Sequence, residues 1–342
     1  MSRKTISGFP ELLPAARAAE ARVEDSLRTT FELHGFTGIQ TRSVEPLSAL
    51  EAKGETSKEI YLLQRLQSAR NSEALELEPN TLGLHFDLTV PLARYVLQNS
   101  NNLVFPFKRY QIQKVWRGER PQEGRYREFT QADIDIVGQN DLGSHHEIEA
   151  GQVMLDDFSA LGVPVLMETS NRKLLQGITE AIGVSDFEGK LRALDKFDKI
   201  GADGVARELA ALGLTPEQVE IASAAAQITA ETGEELRAKI AALPLGQWPT
   251  LLEEGLDDLA RVLDALAEHS PGQVRAALRI ARGLDYYTGT VYETVIPGHE
   301  SFGSVCSGGR YDQLVSDGRR VFPGVGLSVG VSRLVALLLG AG

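Results

Sequence analysis

Between Lys108 and Glu128 the sequence carries seven basic side chains (Lys108, Arg109, Lys114, Arg117, Arg120, Arg125, Arg127) against three acidic ones, within a chain of formal charge −12. Arginine forks bind phosphate bidentately, and phosphoryl chemistry uses them because negative charge moves onto non-bridging oxygens. An arginine-rich hairpin tip is more often a solvated charge run. The residues that follow shift that balance. Phe129, Gln131, Asp133 and Asp135 alternate with Ala132, Ile134 and Ile136, so one face of a strand is polar where a sheet core is apolar. A polar strand face beside a positive patch lines a pocket for a polyanionic substrate. Proteins that coat nucleic acid are usually basic, so nucleic-acid contact in this acidic chain is local.

Other segments carry possible chemistry with less force. In Arg282-Gly-Leu-Asp-Tyr-Tyr-Thr-Gly-Thr-Val-Tyr-Glu293 the adjacent Tyr286 and Tyr287 point to opposite sides of an extended chain, as pocket walls or as plain strand aromatics. Arg282 and Asp285 beside them make the segment more than a strand. Ser307-Gly-Gly-Arg-Tyr-Asp312 allows close backbone approach or a simple turn. Gly324-x-Gly326-x-x-x-Gly330 does not match a dinucleotide fingerprint, and Arg333 after it sits in an apolar helix start where it needs a partner. The six histidines lack metal-ligand spacing. Cys306 has no evident partner base and reads as a small buried residue.

These residues need elements to hold them. Residues 11–35 have helical spacing with Gly35 as C-cap, and Gly38–Val44 reads as a strand. Leu82–Phe86 reads as a strand leading into a helix over Val90–Gln98, with Pro91 in its first turn. Residues 103–117 and 127–138 form a long antiparallel hairpin with a charged tip, and His145–Leu161 a helix. Residues 172–275 are rich in Ala, Leu and Glu and nearly strandless, a helical domain of three to six helices. Strand and glycine signals return from Ala277: strands over Gly289–Val295 and Gly303–Gly309, then a last helix over Ser332–Leu339. The outcome is an α+β fold: an antiparallel sheet flanked by helices and interrupted by an α-helical insertion. At 342 residues and 42% hydrophobic content a sizeable core is available. No apolar run reaches the ~18–20 residues of a membrane span, the N-terminus is not a signal peptide, and one cysteine forms no internal disulfide. A reduced, cytoplasmic setting follows.

Four of these segments, in this order, resemble the motifs of the histidyl-tRNA synthetase family of class II synthetases. Residues 105–138 resemble class II motif 2 and residues 324–335 motif 3. Residues 282–293 and 305–312 resemble the family's two histidine motifs, and Leu84-His-Phe-Asp-Leu-Thr-Val-Pro91 its substrate-binding strand. Motif 1, around residues 36–49, is the weakest match. The resemblance implies a catalytic core in two parts, residues 1–171 with motifs 1 and 2 and residues 276–342 with the histidine motifs and motif 3, around a helical insertion at 172–275. It implies activation of L-histidine with ATP and Mg²⁺, transfer to the acceptor end of tRNA(His), and a homodimer. By resemblance, Asp87, Thr89 and Gln131 hold the histidine α-amino group, with Leu88 beside them. Asp135 and Tyr287 bond the imidazole nitrogens and Tyr286 completes the wall. Arg117 grips the α-phosphate and carboxylate, Glu119 reads the adenine amino group, and Phe129 stacks on the ring. Arg125 and Arg333 bind the outer phosphates, and Arg282 stabilises charge at the α-phosphate.

The sequence departs from the family in three respects. Members continue past motif 3 into an α/β anticodon-binding domain, whereas this sequence ends at Gly342, as a catalytic core lacking that domain or a shortened paralogue would. His85 stands where many members carry arginine. The length also resembles that of the regulatory relative of ATP phosphoribosyltransferase, which binds histidine without charging. A histidine sensor has no need of Arg117, Glu119, Arg125, Arg282 and Arg333 together, so their joint presence favours the enzyme.

Overall fold

The computed structural model describes residues 5–51, 59–67, 81–122, 124–184, 186–194, 196–281, 283 and 286–340. Twelve strands are named among them: β1 (Thr37–Gly38), β2 (Val44–Pro46), β3 (Leu62–Leu63), β4 (Leu82–Leu84), β5 (Phe107–Trp116), β6 (Glu128–Val137), β7 (Leu166–Asn171), β8 (Thr229–Ala230), β9 (Val274–Ala277), β10 (Thr290–Val295), β11 (Cys306–Tyr311) and β12 (Gly324–Gly330). Nine of them form one mixed sheet in the order β1-β5-β6-β12-β11-β10-β7-β9-β8, and β2-β4-β3 form a small second sheet. The chain separates into two compact units, residues 1–141 with 313–323 and 328–342, and residues 142–312 with 324–327. Strand β12 contributes to both.

The first unit is built on the β5–β6 hairpin. Ten residue pairs run in register from Phe107↔Val137 to Trp116↔Glu128, with Arg109 opposite Asp135, Gln111 opposite Asp133 and Gln113 opposite Gln131. Both faces of β6 are buried from Thr130 onward although half its residues are polar. The helix Pro14–Leu33 begins with proline in its first turn and buries Val23, Leu27 and Phe31 at four-residue spacing. It ends before Gly35, whose φ of 78° suits a residue without a side chain. The helix Val331–Leu338 buries Val331, Leu334 and Val335 and packs on β6 and on Pro14–Leu33.

The second unit carries β7 to β11 and six helical segments between Arg172 and His269. One of these, Phe197–Ala211, breaks at Gly201 (φ 67°, ψ 178°). Asn171 caps the helix Arg172–Ala181 by accepting from Lys173 N and Leu174 N at 2.9 and 3.3 Å. A capping box between Thr215 and Gln218 starts Pro216–Ala226. No helix among the described residues is long and apolar enough to cross a membrane.

The α+β fold with a sheet flanked by helices is as expected; two details of the strands differ, and one strand was not foreseen. The sheet is mixed, not antiparallel throughout: β1 runs parallel to β5 and β7 parallel to β9. Gly38–Val44 is not one strand; its ends belong to two sheets, β1 pairing with β5 and β2 with β4. The strand Leu166–Asn171 had no alternation to announce it, because its residues 167–171 are all buried.

Candidate active site

Asp87 and Leu88 are buried and Thr89 half-buried where the segment after β4 turns into the helix Thr89–Asn99. One Asp87 carboxylate oxygen accepts from Val90 N at 3.0 Å, which satisfies a donor of the first helical turn. Facing this turn is Arg109, a member of the basic cluster to which the sequence assigned no role of its own. It is fully buried, pairs with Asp135 at 2.5 Å and reaches the Leu88 carbonyl at 3.4 Å. Arg109 thus ties the helix start to the polar face of β6. Its signal in the sequence was its place in that cluster, on an expected strand, with nothing to show what lay opposite it.

Along the same face, Gln131 Nε2 donates to Ser328 Oγ at 2.8 Å. The Ser328 hydroxyl in turn donates to Asp133. Burial pushes the Asp133 carboxyl up to about 7; Arg109 and the Ser328 hydroxyl oppose that shift, while Asp135 and Asp87 add to it. Ser328 is the other side chain that sequence reading passed over, since a serine inside a glycine-rich strand announces nothing.

Toward the hairpin tip, Arg117 donates from Nε to the Phe86 carbonyl at 2.9 Å, and its guanidinium lies 5.1 Å from the Phe129 ring centre. That bond uses only Nε and leaves the two terminal nitrogens for a ligand. Glu119 and Arg125 face each other at 3.9 Å, both well exposed. Arg333 donates to the Gly124 carbonyl at 3.2 Å, which supplies the partner that an arginine in an apolar helix start requires. The structure therefore gathers Arg117, Glu119, Arg125, Phe129 and Arg333 at one end of the hairpin and Asp87, Leu88, Thr89, Gln131 and Asp135 along its inner face.

His85 is completely buried and stacks on Trp116, with ring centres 5.6 Å apart. Its Nε2 lies 2.7 Å from the Lys114 carbonyl, which can only accept, so the proton sits on Nε2. Burial lowers its pKa, which favours the neutral ring. The departure at this position is thus a buried tie between β4 and β5.

In the second unit, the Tyr286 and Tyr287 rings lie 4.2 Å apart at 50°. Tyr287 packs against the core cluster of Ala277, Ile280 and Val291. It also occupies the space that a side chain at Gly309 would need: a Cβ there would lie 3.0 Å from Tyr287 Cδ1 and 2.7 Å from the Thr290 carbonyl. At Gly308 a Cβ would come within 2.6 Å of Leu327 Cα. The glycine pair is therefore a close approach of strands, not a turn. Arg310, between them and Asp312, is held by Glu147 and Asp312 at 3.0 Å each. Arg282 and Asp285 lie outside the described residues. Cys306 is buried.

A sequence model described as histidyl-tRNA synthetase matches residues 8–334. The histidine–tRNA ligase of Bifidobacterium longum subsp. infantis is 54% identical over 98% of this chain and 75% of its own length. That of Micrococcus luteus is 53% identical over 99% of this chain and 75% of its own. The crystal structure of histidyl-tRNA synthetase from Nostoc sp. PCC 7120 superposes with a TM-score of 0.86 at 35% identity, covering 100% of this chain and 76% of that one. A structure from Bacillus halodurans described as an ATP phosphoribosyltransferase regulatory subunit/histidyl-tRNA synthetase, at 18% identity and a TM-score of 0.82, shares the fold.

Proposed function

The chain belongs to the histidyl-tRNA synthetase family, and on that premise we propose that it activates L-histidine with ATP and transfers the histidyl group to tRNA(His), as a histidine–tRNA ligase. In the first step a histidine carboxylate oxygen attacks the α-phosphorus of ATP. The bond to the bridging oxygen breaks, pyrophosphate leaves and histidyl-adenylate forms. In the second step a terminal ribose hydroxyl of the tRNA takes the histidyl group and releases AMP.

The observation that carries this reading is Arg117. It lies over Phe129 with two guanidinium nitrogens uncommitted, next to the inner face that bears Asp87, Gln131 and Asp135. Bringing two anions together requires cationic donors aimed at the charge that develops at the α-phosphate. We assign that role to Arg117, with the adenine stacked on Phe129 and its amino group met by Glu119. Arg125 and Arg333 take the outer phosphates. Asp87, Thr89 and Gln131 hold the α-ammonium, beside Leu88, and Asp135 accepts from an imidazole N–H. The roles of Arg282, Tyr286 and Tyr287, at the α-phosphate and around the imidazole, rest on motif resemblance alone. An acid and a tyrosine hydroxyl suit a neutral imidazole, which offers one donor and one acceptor.

Among the described residues no group of three or more His, Cys, Asp or Glu side chains could hold a metal ion. ATP would bring Mg²⁺ on its phosphates, where the ion neutralises charge. We further propose a homodimer acting in the cytoplasm.

Histidine-dependent exchange of pyrophosphate into ATP tests the reading. The wild-type protein should catalyse it, and Arg117→Ala should lower kcat/KM by about 10²–10³-fold, the usual loss for one transition-state donor. Histidine binding without any exchange would turn the assignment toward a histidine sensor.

A further inference from the structure

The inner face of β6 is short of donors. Asp87, Asp133 and Asp135 converge there, and Arg109 is the one buried cation set against them among the described residues. Arg109 pairs with Asp135, and Ser328 serves both Gln131 and Asp133. Because the Ser328 hydroxyl gives its only proton to Asp133, it must accept from Gln131. That fixes the Gln131 amide with Nε2 toward the serine and Oε1 away from it. Among the described residues no side chain or backbone group then donates to two buried acceptors, Gln131 Oε1 and Asp133 Oδ1. They belong to residues i and i+2 of one strand, so they share a face, and Asp133 is only 3% exposed. Orphaned acceptors cost stability unless a ligand supplies donors.

We propose that Asp133 is a further substrate-binding residue, which receives the α-ammonium of the amino acid beside Gln131 Oε1 and releases its own proton as it does so. This rests on the reading that the site takes histidine. The balance is simple. The ammonium enters with its three protons, the carboxyl O–H bond breaks, the proton passes to solvent, and a carboxylate–ammonium pair remains. The groups facing Asp133 are Asp135 on its own strand, Arg109 on β5, Asp87 before the helix Thr89–Asn99, and the Ser328 hydroxyl on β12. A carboxyl that titrates near neutrality without ligand is what lets an ammonium displace a proton there, while histidine keeps its ammonium fully charged.

Calorimetry of L-histidine binding to the full chain at pH 6.5, in two buffers of different ionisation enthalpy, tests the proposal. Wild type should release at least about half a proton more than Asp133→Asn, given a carboxyl near 7. Asp133→Asn should bind histidine about tenfold or more weakly than wild type at pH 8, and the gap should narrow by pH 6, where both side chains are neutral. A purely structural aspartate would give no such pH-dependent ratio. Imidazole-lactic acid, with a hydroxyl in place of the ammonium, should bind wild type without the extra proton. Equal proton release by the two proteins, or the same release with imidazole-lactic acid, overturns the proposal. Should Asp133→Asn not fold, Ser328→Ala takes its place: loss of the hydroxyl donor should move the proton release to higher pH, and an unmoved profile counts against the proposal. A wild-type protein that binds no histidine at all fails the reading beneath it, and the proposal with it. Histidine binding without extra proton release fails the proposal alone.

Discussion

The inner face of the β5–β6 hairpin and the helix pair Arg172–Ala181 and Thr250–His269 handle polarity in opposite ways. The hairpin buries Arg109, Gln131, Asp133 and Asp135, and among the described residues Arg109 Nε, Gln131 Oε1 and Asp133 Oδ1 have no partner. The helix pair meets nearly backbone to backbone: a Cβ at Gly177 would lie 2.6 Å from Leu252 Cβ, and one at Gly255 2.7 Å from Leu174 Cα. Its ion pairs, such as Arg261 with Asp258, stay at the surface. The hairpin thus keeps charge inside, whereas these two helices keep theirs at the surface. Burying an ion pair rarely stabilises a fold, so the hairpin's arrangement is not one that stability alone favours.

The largest effect should follow from removing the cation on which the hairpin depends. Arg109→Met removes the buried guanidinium that pairs with the Asp135 carboxylate, which should cost about 3–5 kcal/mol in denaturant unfolding. The penalty should grow with pH. Between about 4 and 7 the folded protein holds a proton on Asp133 that the unfolded chain releases, so this group's contribution to stability falls as pH rises through about 7. Above that, Asp133 is a second anion without its arginine. Equal penalties at pH 5.5 and 8.5 would show that the carboxylates do not depend on Arg109, and the contrast between the two regions would lose its basis.

Next in size is Gly255→Ala. The added methyl must displace the backbone of Leu174, not a flexible side chain, so overpacking should cost about 1–3 kcal/mol at every pH. Thermal and denaturant unfolding at the same two pH values separate this loss from that of Arg109→Met. A neutral substitution would mean that the helices part easily and that the glycines are not what sets their distance.

Much of the hairpin was legible in the sequence, because an alternating strand with a polar turn fixes both register and facing residues. Gln131 and Asp135 declared themselves as polar residues on one face, and Arg117 and Arg125 by their crowding. Arg109 and Ser328 did not. Their importance comes from what lies opposite them across strand pairings, and spacing along one strand carries no such information. Leu166–Asn171 was invisible for a related reason: a strand covered on both faces loses the alternation that marks a strand. Parallel pairings join segments distant in sequence, so the mixed character of the sheet could not be read from local hairpin signals. Gly308 and Gly309 were ambiguous between turn and close approach until Leu327 and Tyr287 were seen against them.

The smallest effect sharpens the comparison from its other side. Arg237 and Asp257 join two helices of the second unit at 2.6 Å, nearly the same separation as Arg109 and Asp135, yet their side chains are 48% and 57% exposed. Distance alone would rank the two pairs together. Water screens the exposed pair, and holding two long side chains in one geometry costs entropy, so its coupling should be about 0–0.5 kcal/mol. A double-mutant cycle of Arg237→Ala and Asp257→Ala, read from unfolding at low and at 0.5 M salt, measures that coupling directly. It should be small at low salt and vanish at high salt, while the cost of Arg109→Met changes little with salt. A coupling above about 2 kcal/mol in the exposed pair would mean that burial does not decide the strength of charge pairing in this protein. The distinction between the hairpin and the helices would then have to rest on packing alone.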